Sequence, residues 1–115
     1  MRNNEVDKAV YHLWKATKLN PHSLELRLAL ASAILLLEYE KIDDPKIQED
    51  LKEASEMVSE VLWEEPNNVE GLIVQGRILE KQGKGVEAAS KYEKVISIDS
   101  KNSEAYFHLG QLFKR

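Results

Sequence analysis

The sequence predicts an all-α protein, a stack of antiparallel helix pairs with about six helices in all. Three observations lead there. Ala54, Val58, Val61 and Pro66 are matched 34 residues later by Ala88, Tyr92, Val95 and Ser100, and Leu72, Gly76 and Leu79 are matched at the same interval by Tyr106, Gly110 and Phe113. Clusters of turn-forming residues separate segments of similar length whose apolar residues recur every three or four positions. No strand-like alternation survives over more than a few residues. Self-similarity at this period marks stacked helix–turn–helix units, each burying its apolar face against its neighbours.

The elements follow in order. Val6, Ala9, Val10, Leu13 and Ala16 lie at helical spacing and predict a first helix over 5–19. Asn20-Pro21-His22-Ser23 ends it, with Ser23 placed to cap a long second helix from Leu24 to about Glu40. Lys41 to Pro45 reads as a turn in which Asp44 caps and Pro45 opens the third helix, over about 46–64. Pro66-Asn67-Asn68 is the next break, followed by a helix from Val69 to Gln82. Gly83-Lys84-Gly85 ends that helix, glycine being suited to the left-handed backbone of a helix C-terminus. Val86 to Ile98 is the fifth helix, Asp99 to Ser103 a turn, and Glu104 begins a sixth that runs to Arg115.

Composition narrows the function classes. The chain has 115 residues, a net charge of −4 and no cysteine. Thiolate and disulfide chemistry are thereby excluded, and the absence of cysteine fits a reducing compartment. An acidic balance argues against nucleic-acid binding, which favours a basic stripe. The apolar run Leu28 to Leu37 is too short to insert across a membrane, and the N-terminus lacks the apolar stretch of a secretion signal; both point to a cytoplasmic location. His12, His22 and His108 have no ligand-spaced companions, Asp43-Asp44 lacks the oxygen spacing of a calcium loop, and Gly83-Lys84-Gly85 is too short to cradle phosphate. No cofactor or metal is expected, and no constellation of nucleophile and base points to an enzyme.

The repeated positions resemble those of the tetratricopeptide-repeat family, whose 34-residue unit is a helix A, a short turn and a helix B. Leu72, Gly76 and Leu79 sit at its large, small and large positions of helix A, and Ala88, Tyr92 and Val95 at the corresponding positions of helix B. Small residues there let two backbones approach while larger ones fill the grooves on either side. Ala9, Leu13, Ala16 and Pro21 carry the same marks 45 residues before Ala54, Val58, Val61 and Pro66, so eleven extra residues lie between Ile34 and Ala54. They read as added turns on both helices, projecting beyond the stack. Gln75 stands where Leu is usual, Arg27 where a large apolar residue is usual, and Ser100 where Pro is usual.

The resemblance implies a right-handed superhelical stack forming a single domain over 1–115. Residues 5–19 are then helix B of a partial repeat, 24–66 an expanded repeat with an insertion near 38–48, 69–102 a regular repeat, and 103–115 helix A of a partial or capping repeat. Such an array begins and ends within a repeat, as a piece of a longer one would. Trp14 and Trp63, near the ends of the first and third helices, read as packing residues at unit junctions.

The resemblance also implies a concave groove, lined by the A helices, that receives a peptide or helix from a partner protein. Its positions map to Glu25, Leu28 and Ser32, then Glu70, Ile73 and Arg77, then Glu104, Phe107 and Gln111. Leu28, Ile73 and Phe107 would form an apolar stripe, with Glu25, Glu70 and Glu104 as an acidic row one turn earlier. The family members that grip a terminal carboxylate do so with Lys, Asn and Arg; here Leu28, Ser32, Val74 and His108 occupy those places, so a basic or amphipathic partner segment suits the groove better than an acidic one. Glu49, Asp50, Glu53, Glu56, Glu60, Glu64 and Glu65 on the third helix read as a solvated outer face. The expected function is a non-catalytic interaction module or scaffold. The alternatives are a structural segment that self-associates or continues a longer solenoid, favoured by Tyr106, Phe107, Leu109, Leu112 and Phe113 around the last helix, and a regulatory domain of a larger protein.

Overall fold

A computed structural model describes residues 4–37 and 45–114. Six helices follow one another: α1 (Asn4–Leu19), α2 (Leu24–Ile34), α3 (Pro45–Glu64), α4 (Val69–Lys81), α5 (Gly85–Ile98) and α6 (Ser103–Lys114). Each packs on its neighbours in sequence, and α2 also touches α4. This is the all-α stack of helix pairs that the repeat predicts. The cap expected at Asp44 and the expected projecting tip before Pro45 lie outside the described residues.

Polar caps repeat with the same spacing as the core. Ser23 Oγ accepts a hydrogen bond from the backbone N–H of Leu26 (3.2 Å), Asn68 Oδ1 from that of Gly71 (2.8 Å), and Asn102 Oδ1 from that of Ala105 (2.9 Å). Each occupies one otherwise orphaned donor at the start of α2, α4 and α6. Gly83 ends α4 with φ 79°, the left-handed conformation expected of it. The N–H of Lys84 then reaches back to the Leu79 carbonyl (2.8 Å), closing the helix end.

The core forms two clusters. One gathers Leu28, Leu30, Ala31 and Ile34 of α2, Leu51, Ala54, Val58 and Val61 of α3, and Val74 and Ile78 of α4. The other gathers Leu72 and Ile73 of α4, Ala88, Tyr92 and Val95 of α5, and Ala105 and Leu109 of α6. Leu62 packs against both clusters and links them. The repeated residues of α3 and α5 are fully enclosed: Ala54, Val58, Val61, Ala88, Tyr92 and Val95 are all 0% exposed. Their counterparts in α1 are not, Ala9 being exposed and Leu13 and Ala16 half-buried.

Three expectations change. The second helix stops at Ile34 rather than near Glu40. The N–H groups of Leu36 and Leu37 bond to the carbonyls of Ala33 and Ile34, three residues back, a tightening that closes a helix rather than extending it. Leu35 is thereby turned into the core. The junction role of Trp63 also fails, for it is 87% exposed. The buried stripe of α3 runs through Ala54, Val58 and Val61, and two residues past Val61 means a rotation of about 200°, on the far side of the helix. Trp14 is only partly covered, with the Lys18 ammonium 5.2 Å from its ring centre. Finally, the acidic face of α3 is not all solvated: Asp50 is buried beside Lys46 Nζ (3.3 Å), and Glu60 meets Arg27 (3.2 Å).

Candidate interaction face

The nine groove positions fall on α2, α4 and α6. Glu25, Glu70 and Glu104 are all exposed, each two residues after its cap, in the first turn of its helix. A carboxylate there is favoured by the partial positive charge of the helix N-terminus, so the row is stable without a partner. Ser32 and Arg77 are half-buried and Gln111 is exposed.

The expected open apolar stripe is interrupted. Leu28 is 4% and Ile73 6% exposed, whereas Phe107 is 60% exposed. Leu28 shares a core with Val74 and Ile78 of α4, and Ile73 shares one with Ala105 and Leu109 of α6. In each case the residue is enclosed within a cluster shared with neighbouring helices, α4 packing on α2 and α5 on α4. The apolar part of the face is therefore Phe107, on the last described helix.

A polar pocket of about 430 Å³ opens between α4 and α6, lined by Arg77, Glu80, Lys81, His108 and Gln111. Its floor is a tied cluster. The Tyr92 hydroxyl, on α5, donates to Glu80 Oε2. His108 Nδ1 lies 3.2 Å from the same oxygen, and its Nε2 lies 3.9 Å from Glu104. The Tyr92 and His108 rings stack, with centroids 5.0 Å apart and planes 8° from parallel. Burial pushes the Tyr92 hydroxyl well above the usual tyrosine range, and the hydrogen bond to Glu80 and the charge of that carboxylate push it further.

The pocket brings together Arg77 and Gln111, with Glu104 at its edge through His108. Glu25, Leu28 and Ser32 belong to the α2 side of the face and do not line it. Glu80 was hidden from sequence reasoning. Its side chain is 12% exposed, although carboxylates on these helices read as solvated. The usable signal was the repeat itself, which aligns His108 with Val74 and so places a polar ring at a position that packs in the preceding unit. Among the described residues no group of three His, Cys, Asp or Glu side chains is arranged to hold a metal ion. No helix among them is long and apolar enough to cross a membrane.

No family model and no curated protein matches the chain. Among solved structures, an Arabidopsis OM64 TPR domain matches it at a TM-score of 0.75 and 20% identity, over 97% of this chain and 84% of that one. Nearly the whole of this chain thus shares the helix arrangement of that domain at low identity. The protein has the fold of a tetratricopeptide-repeat domain.

Proposed function

We propose that the chain is a non-catalytic protein-interaction module. Its A-helix face receives a basic or amphipathic segment, extended or helical, from a partner protein. The observation that carries this reading is the exposed row of Glu25, Glu70 and Glu104, repeated on three successive A helices. A segment lying across these helices places basic side chains on Glu70 and Glu104 and an apolar one on Phe107. Arg77 and Lys81, at the other edge of the pocket, disfavour the reversed charge order and so select direction. The Tyr92–Glu80–His108 cluster holds the floor in one arrangement, which reduces the ordering that binding would otherwise require.

Titration calorimetry with matched basic-amphipathic and acidic peptides tests the reading. The basic set is expected to bind, more weakly as salt rises, and to lose about tenfold or more in affinity to the Glu70→Lys/Glu104→Lys variant. Equal binding of both sets, or binding that ignores the double substitution, contradicts it.

A further inference from the structure

We infer that α5 and α6 form a docking groove for α1 of a second copy, so that copies join head to tail through a composite helix pair. The protein itself supplies the template. Within the chain, α5 covers α4 by laying Ala88, Tyr92 and Val95 over Leu72, Gly76 and Leu79. The covered residues repeat in α6 as Tyr106, Gly110 and Phe113, and there they are open: Tyr106 is 52% and Phe113 76% exposed. The contrast is sharpest at the small position. A Cβ on Gly76 would meet the Tyr92 ring at 2.7 Å, whereas a Cβ on Gly110 would meet nothing within 4 Å among the described residues. Beside that face, α5 and α6 leave a groove of about 600 Å³ lined by Val86, Ala89, Glu93, Leu112 and Phe113.

The covering residues repeat in α1 as Ala9, Leu13 and Ala16, which are exposed or half-buried where their counterparts in α3 and α5 are enclosed. One end of the stack thus presents the face that is covered and the other the face that covers. Charge agrees with the antiparallel register of the α4–α5 pair. Docked that way, Lys18 in the last turn of α1 approaches Glu104 in the first turn of α6. Such a contact joins two different surfaces and leaves each outer end free, so it propagates instead of closing. The second copy's α2 then continues the row of A helices, extending the acidic row from Glu104 to the next Glu25.

Sedimentation of the whole chain tests this, with Gly110→Arg blocking the receiving face and Ala9→Arg the inserting one. Both positions are exposed; Gly110→Arg raises helix propensity and Ala9→Arg lowers it only slightly, so circular dichroism should match the parent. Phe113→Glu gives an independent block of the receiving face. The parent should show an average mass that climbs with concentration past two chains. Each variant alone should stay at one chain. An equal mixture of Ala9→Arg and Gly110→Arg should stop at two, through the one pair of intact faces it retains. A parent that remains a single chain up to about 1 mM, the weak end of specific association, overturns the inference. So does a parent that levels off at two chains, or a mixture that fails to pair. Substituting Glu70 should leave this association unchanged, which separates it from peptide capture.

Discussion

The ring of Tyr92 occupies the space that a methyl group on residue 76 would need, its Cε1 and Cζ both 2.7 Å from the Cβ position. Gly76 therefore sets how closely α4 and α5 approach, and Tyr92, 0% exposed, fills the resulting contact. Helix propensity alone would favour Ala over Gly by about 1 kcal/mol. Gly76→Ala should nevertheless destabilise the chain, by about 1–3 kcal/mol in chemical denaturation, because the ring is enclosed and has no easy displacement. Gly110→Ala, made where nothing among the described residues lies within 4 Å, should stabilise by up to about 1 kcal/mol in dilute protein. Equal effects at the two glycines would contradict the packing role.

Tyr92 also gives the fold an alkaline limit. Its hydroxyl titrates well above its ordinary value of about 10 in the folded chain, owing to burial first and Glu80 second. Below about pH 10 folded and unfolded chains both hold this proton and its contribution is fully present. Above that, the unfolded chain releases it while the folded chain still retains it, so stability falls as pH rises toward the raised folded value. Tyr92→Phe should lose about 1 kcal/mol near neutrality with the hydrogen bond to Glu80, and should then show a shallower decline above pH 10 than the parent. Parallel curves for the two proteins would remove Tyr92 from the account.

Arg27 takes a place where a large apolar side chain is usual and satisfies it differently. Its side chain is 14% exposed, donates to the Pro21 carbonyl, and lies 3.2 Å from Glu60. It thereby ties the α1–α2 turn to α3. Glu60 is 60% exposed, so removing Arg27 strands no buried charge and the ion pair itself is worth little. Arg27→Ala should destabilise by about 1–2 kcal/mol through lost packing, while Arg27→Leu, which keeps most of that packing, should fall within about 1 kcal/mol of the parent. Thermal unfolding of the two variants checks the order.

Gln75 leaves its amide oxygen buried with no hydrogen-bond partner among the described residues. An unsatisfied buried acceptor costs about 1–3 kcal/mol. Gln75→Leu, of similar length, should raise stability by about 1 kcal/mol, measured by denaturant midpoint. A loss instead would mean that the amide is satisfied in solution.

The helices were legible because their signals are local: apolar spacing, Ser23 as a cap, Gly83 as a stop. The close crossing at Gly76 was legible because the repeat names which position must be small. Burial across neighbouring units was not. Leu28 and Ile73 stand at positions that the repeat assigns to the A-helix face. Whether such a residue is open depends on how closely the neighbouring helices pack on it, which no spacing within one helix records. Trp63 shows the converse error, in which residue type suggested burial while a rotation of about 200° from the Val61 stripe placed the ring outside. The end of α2 was misplaced because Leu35, Leu36 and Leu37 continue an apolar run, and an apolar run does not show where backbone bonds tighten. The link of Tyr92, Glu80 and His108 joins three helices, and its one trace in the sequence is the polar ring of His108 at a position that packs in the preceding unit.

We propose that the A-helix face, with its row of glutamates, captures a basic segment. Backbone amide shifts recorded while a basic amphipathic peptide is titrated into the protein test it most directly. The largest changes are expected at Glu70, Arg77, Glu104, Phe107, His108 and Gln111, with α3 unaffected. Changes concentrated on Glu49, Glu53 and Glu56 of α3, or none at all, would contradict it.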